Sequence, residues 1–309
     1  MIGDSVAPVN PYRSAALIGV VVVAAACSSS TPPTTQPPTT LGSAPTTTAA
    51  PPPTTTTTSS TTTTTLPPTT TTSISPYARP EWLGTQPLPL GPDGFGEVQP
   101  TPAELVDRRL QTPPRFPPPA GDEFEWTLGP VPDDVLERST WEEGCPVAVE
   151  DLSYLTVSHM GFDGEFHTGE LMVDARYGEG IVEVFRKLHE ARFPIEYLWV
   201  TGKAALHAVP TGDWNNSTSF VCRPATQGTS WSRHAFGRAI DLNPFHNPYL
   251  KGDLVIPELA SAYTDRSDLR PGMIVRGDVA TEAFAEIGWG WGGNWNSLKD
   301  WMHFSRSGG

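Results

Sequence analysis

The chain holds 309 residues, with 34 acidic against 20 basic side chains and a formal net charge of -14. Only Asp4 and Arg13 carry charge before Arg79, so the acidity belongs to the C-terminal three quarters. An acidic surface repels nucleic-acid phosphates and anionic lipid headgroups, which argues against nucleic acid as a partner and against membrane attachment through charge.

At the N-terminus, Arg13 precedes the apolar run "AALIGVVVVAAAC", which is short for a bilayer span and ends in small residues. Residues 1–27 are therefore expected to be an export signal. The alanines before Cys27 resemble the lipobox of bacterial lipoproteins, in which the cysteine sulfur is acylated. That resemblance implies lipidation at Cys27 and attachment to the membrane through the lipid; a plainly cleaved signal and a single membrane anchor are the alternatives. Each places the rest of the chain outside the cytoplasm. Residues 28–76 are almost only Thr, Pro, Ser and Ala, with no charge and little to bury, and are expected to be a disordered, extended stalk.

Export also bears on the remaining cysteines. Oxidising compartments favour pairing, so Cys145 and Cys222 are expected to form a disulfide, with two buried free thiols as the alternative.

Residues 77–140 remain proline-rich but carry aromatic and aliphatic side chains, which predicts an irregular arm packed on the domain that follows. Within it "TPAELVDRRL" predicts a short helix, with Thr101 as N-cap and Pro102 at the first helical position, and "PDDVLERS" a second.

Residues 141–309 form the expected main domain. "LSYLTVSHM" and "EFHTGELMV" are strand-like runs joined by "GFDG", whose Asp163-Gly164 pair signals a hairpin. "GEGIVEVFRKLHEARF" places Ile181, Val184, Phe185 and Leu188 on one helical face. "PIEYLWV", "SFVCR", "GRAIDL" and "WMHFS" read as further strands, and "DVATEAFAEIG" as a helix capped by Asp278. The irregular order with an early hairpin predicts an α+β class, a central antiparallel sheet with flanking helices.

The chemistry gathers in two stretches. In "SWSRHAFGRAIDLNP", a strand over Arg238–Leu242 turns Ile240 and Leu242 to the core and Ala239 and Asp241 toward a cleft. Gly237 allows a sharp turn, so the His234 imidazole and the Asp241 carboxylate can converge on one ion. In "NWNSLKDWMHF", Met302 and Phe304 share the buried face, leaving His303 to the cleft with Asp300 nearby. Two histidines and a carboxylate suit zinc, with a second carboxylate to take a proton from water activated at the metal. His246 in "NPFHNPY" is a competing candidate for a ligand, although Pro244 and Pro248 suggest a loop there, whereas His159, His167, His189 and His207 read as surface or strand residues.

"SRHAFGRAID" matches Ser-x-His-x-x-Gly-x-Ala-x-Asp, and "GWGWGGNWNSLKDWMHF" resembles the second motif of the zinc D-alanyl-D-alanine carboxypeptidase family, especially its L-alanyl-D-glutamate endopeptidase-like branch. The likeness spans about residues 145–305. It implies a Hedgehog/D-Ala-D-Ala peptidase-like zinc fold acting on peptidoglycan stem peptides and, with the export signal, a protein facing the cell wall as a monomer. It also implies zinc on His234, Asp241 and His303, Asp300 as catalytic acid and base, Arg223 as a substrate-positioning arginine, and Ser232 as a substrate-binding or loop-fixing residue. Many relatives carry Glu where this chain has Asp300, and often Glu where it has Ser305. Because related zinc folds can act by binding alone, a non-catalytic wall-binding or scaffold lipoprotein is the alternative function.

Overall fold

The computed structural model describes Ser75, residues 77–226 and residues 228–307. The expected export signal, Cys27 and nearly all of the Thr/Pro-rich stalk lie outside them.

The arm is ordered around a few buried side chains. Helix α1 is only Ala103–Val106, with Pro102 in the cap position and no side-chain cap bond. Thr101 does not cap it; its hydroxyl instead donates to the Leu259 carbonyl at 2.6 Å. Leu88, Leu105 and Leu110 of the arm pack with Phe245, Leu259 and Tyr263 in one apolar cluster. Burying each such side chain contributes about 1.5–3 kcal/mol. Arg108 follows them inside, its Nε 2.6 Å from Glu196 Oε2, its Nη2 2.9 Å from Oε1 and its Nη1 2.7 Å from the Asp213 carbonyl. A fully buried guanidinium is tolerable because each of its three nitrogens is hydrogen-bonded, two of them to a carboxylate. Burial works to raise the Glu196 carboxyl, but the Arg108 charge prevails and holds it at about 2.

The end of the arm forms a strand that the amino-acid pattern did not suggest. β1, Trp126–Pro130, adds to the hairpin edge, and α2, Asp133–Arg138, follows it. The hairpin itself is β2, Leu152–Met160, and β3, Phe166–Asp174, paired antiparallel through nine residues each. Gly164 takes φ +83°, as the tight turn requires. Helix α3, Gly178–Glu190, lays Ile181, Val184, Phe185 and Leu188 against Leu155, Val157, Leu171 and Val173 of that sheet.

The remainder is built from short elements. β4, Tyr197–Leu198, pairs in parallel with β5, Asn216–Ser217, with the four-residue helix α4, Lys203–Leu206, between them. β6, Ala239–Asp241, pairs with β11, His303–Ser305, which also pairs with β9, Gly290–Trp291. β7, Tyr249–Lys251, forms a hairpin with β8, Leu254–Ile256, and pairs with β10, Lys299–Asp300, on its other side. Helix α5, Val279–Glu286, starts as expected, with Asp278 Oδ1 accepting from the Thr281 N–H at 2.8 Å.

The α+β class and the antiparallel pairing are as expected, but one central sheet is not what forms. Three separate three-stranded antiparallel sheets and the parallel β4–β5 pair divide the strands. The cause is short pairing: "PIEYLWV" yields only two strand residues, and "SFVCR" yields none, the ladder stopping at a bridge between Thr218 and Asp241. Cys145 and Cys222 form the expected disulfide, linking α2's exit to the loop beside that bridge.

Candidate metal centre

The β6–β11 pair brings the two motifs together. Antiparallel register sets His303 opposite Asp241 and Phe304 opposite Ile240. Period-2 alternation then separates the faces: Ile240, Leu242 and Phe304 enter the main core, and Asp241 and His303 project the other way. His234 arrives from a 3-10 turn, Arg233–Phe236, that ends at Gly237 in the left-handed region at φ +65°. A Cβ on Gly237 would stand 2.5 Å from the Asp174 backbone nitrogen, so glycine is required both for the turn and for the close approach.

Three side chains converge here. His234 Nε2 lies 3.3 Å from His303 Nδ1 and 3.2 Å from Asp241 Oδ2, while His303 Nδ1 lies 3.0 Å from Asp241 Oδ1. All three residues are buried, and one ligand atom from each lies within 4.8 Å of the others. The tautomer of His234 follows from its partner. Nδ1 is 2.6 Å from the Ser219 carbonyl, which can only accept, so Nδ1 carries the proton and Nε2 keeps its lone pair for the shared point. Two imidazole nitrogens and a carboxylate with this spacing fit a divalent zinc ion. Burial works to raise the Asp241 carboxyl, but His234 and then His303 hold it well below the usual carboxylate range.

Asp300, on β10, completes the neighbourhood. Its Oδ1 is buried without a hydrogen-bond partner among the described residues. Burial first, and the Asp241 charge in addition, push its carboxyl up to about 7 against the opposing pull of His303 and Arg223. The 3-10 turn Gly292–Asn294 packs directly on it: a Cβ on Gly292 would be 2.5 Å from the Asp300 carbonyl oxygen and 2.9 Å from its Cβ.

Arg223 lines the same cavity as His234 and Asp241, a cleft of about 430 Å³, and its Nη1 donates to the Pro224 carbonyl at 3.0 Å. The Ser232 hydroxyl is turned inward, accepting from the His234 N–H at 3.3 Å, which fixes the loop. Ser305 is fully buried, its hydroxyl unpartnered among the described residues.

His246 does not join the centre. Its Nε2 donates to the Arg108 carbonyl at 2.9 Å and its Nδ1 faces Asn215 Nδ2 at 3.2 Å, locking arm to domain. His159 lies in strand β2, as one of the expectations had it, and is buried; His189 is neither on the surface nor in a strand but buried on helix α3. Two contributors went unread in the amino-acid order: the Ser219 carbonyl, which no side-chain pattern can reveal, and Gly292, whose signal was the glycine run that opens the second motif.

A family model described as D-alanyl-D-alanine carboxypeptidase matches residues 225–306, a span holding His234, Asp241, Asp300 and His303 but not Arg223. That match agrees with the resemblance carried by the two motifs. No curated protein and no solved structure matches the chain.

Proposed function

We propose that this protein is a zinc peptidase that hydrolyses an amide bond in the stem peptide of bacterial peptidoglycan, a reading supported by the match of residues 225–306 to a family model described as D-alanyl-D-alanine carboxypeptidase. The observation that carries the reading is the convergence of His234, Asp241 and His303 beside an Asp300 carboxyl whose buried Oδ1 has no partner among the described residues.

His234 through Nε2, His303 through Nδ1 and the Asp241 carboxylate would hold the ion. Zinc, when bound, supplies Lewis-acid chemistry, acidifying water and polarising a carbonyl. The chain supplies the rest. Asp300, whose carboxyl burial pushes up, can take a proton from the attacking water and return it to the leaving amine. Arg223 offers a positive charge on the cleft wall to orient an anionic part of the substrate. Ser232 acts through His234, holding the loop that carries it.

The α+β class with antiparallel sheets is compatible with the Hedgehog/D-Ala-D-Ala peptidase-like zinc domain proposed for it, and both the D-alanyl-D-alanine carboxypeptidase and the L-alanyl-D-glutamate endopeptidase reactions suit that reading. Export and lipidation at Cys27 would put a monomeric enzyme at the outer face of the membrane, facing the wall. Among the described residues no helix is long and apolar enough to cross a membrane. The test is digestion of muropeptides by zinc-loaded protein with and without a chelator, read by mass spectrometry. Chelator-sensitive release of fragments is expected; no cleavage of any stem peptide would contradict the reading and leave a wall-binding module.

A further inference from the structure

The cleft beside the metal centre has a wall that neither motif supplies. Phe95 of the arm and Glu258, just after β8, line the same cavity of about 430 Å³ as His234 and Asp241. The two are joined: Phe95 sits in a turn closed by the Gly91 N–H on its carbonyl at 2.8 Å, and the next residue, Gly96, donates its N–H to Glu258 Oε1 at 2.9 Å. The Gln99 N–H adds a second bond to the Glu258 carbonyl at 3.2 Å. Glu258 thus pins the loop that carries Phe95 and itself lines the cleft.

Charged groups in this cavity are few. His234 and Asp241 belong to the metal centre, and Arg223 acts on Asp300. That leaves Glu258, which is only 2% exposed and which no Lys or Arg side chain among the described residues reaches as an ion pair. Burial pushes its carboxyl up, the mark of an anion short of partners. Around it the wall is apolar, with Leu206, Val209 and Ile256, and Trp214 is 39% exposed. A carboxylate in such surroundings is stabilised by a donor that arrives with the ligand. One of its oxygens already accepts from Gly96, which disfavours a two-pronged guanidinium and favours a compact ammonium.

We infer that Glu258 is a specificity-determining residue: the cleft takes a substrate side chain with an aliphatic stem ending in a primary ammonium, the stem against Phe95 and Trp214 and the ammonium donating to Glu258. This assignment rests on the peptidase reading for its substrate class. The arm is accordingly part of the substrate site, although the family match begins well after it.

The experiment uses the full chain, zinc-loaded, and three synthetic stem pentapeptides that differ only at the residue before D-alanyl-D-alanine: lysine, Nε-acetyl-lysine or norleucine. Affinity is read by calorimetry in an Asp300→Ala background, and cleavage in the unsubstituted protein. The lysine peptide is expected to bind about tenfold tighter than the other two, the worth of one hydrogen bond to a charged group. Glu258→Gln keeps an oxygen for the Gly96 N–H, so it should bring the three affinities together while leaving norleucine binding unchanged. Phe95→Ala should weaken lysine and norleucine peptides alike. Equal affinities in the parent protein, a lysine preference that survives Glu258→Gln, or no binding of any peptide would overturn the assignment. A lysine preference without cleavage would overturn the peptidase reading and not this one; cleavage without preference would do the reverse.

Discussion

His303 Nδ1 stands 3.0 Å from Asp241 Oδ1 across the β6–β11 pair, although 62 residues of chain separate them. Strand register sets the two residues opposite one another, and the 3-10 turn before β6 brings His234 to them, so the three side chains come together in the folded chain. Zinc at about 1,000 times its Kd should therefore stabilise the folded chain by about 4 kcal/mol. Thermal unfolding with and without zinc is the check: the unsubstituted protein should gain in Tm, and His303→Ala should gain little.

Gly292 bears on Asp300 through backbone contact, which cannot yield as a flexible side-chain end would. Gly292→Ala should displace the Asp300 carboxyl while leaving the three metal-holding residues in place. The expected result is a kcat lowered about 100-fold, the scale of a catalytic group misplaced by about an ångström. Zinc content, measured by elemental analysis, should not change.

Arg108 and Glu196 form a buried two-point pair, whereas Arg79, on the same carboxylate, keeps 28% of its side chain exposed. Glu196→Gln leaves a guanidinium buried without its counter-charge and should cost about 3–5 kcal/mol in urea unfolding. Arg79→Ala should cost less than about 1 kcal/mol.

Burial lowers His159 and His246 from 6.5 to about 4. Between those values the unfolded chain binds protons that the folded chain does not, so their contribution is complete above pH 6.5 and is lost as pH falls through about 4. Asp300 and Glu258, with raised carboxyls, run the opposite way, losing their contribution as pH rises. The histidine share is therefore best read as a difference. In chelator, His246→Gln should flatten the fall in urea midpoint between about pH 6.5 and about pH 4 relative to the unsubstituted chain; equal slopes would contradict it.

The elements legible in the amino-acid order were those specified locally. The β2–β3 hairpin has strict alternation and an Asp-Gly turn, and α5 has its cap at Asp278. The convergence of His234, Asp241 and His303 was legible because alternation around Asp241 and His303 assigns those two side chains a face and Gly237 allows the turn that returns His234. What was not legible depends on distant partners. "SFVCR" has strand-like composition, yet its backbone is engaged elsewhere: the Ser219 carbonyl accepts from His234, and the Cys222 N–H donates to the Thr140 hydroxyl. Thr101 resembled a helix cap, but the Leu259 carbonyl, 158 residues away, takes its hydroxyl proton. Likewise nothing near Phe95 or Glu258 in the chain announces that they share a cavity with His234.

The central claim is that Asp300 moves protons beside a zinc ion held by His234, Asp241 and His303. Its most direct test is the hydrolysis rate of a stem peptide by Asp300→Ala, with zinc assayed in the same sample. One zinc per chain is expected, as in the unsubstituted protein, with a rate lower by about 100- to 10,000-fold. An unchanged rate, or an unsubstituted protein that hydrolyses the peptide without zinc, would contradict it.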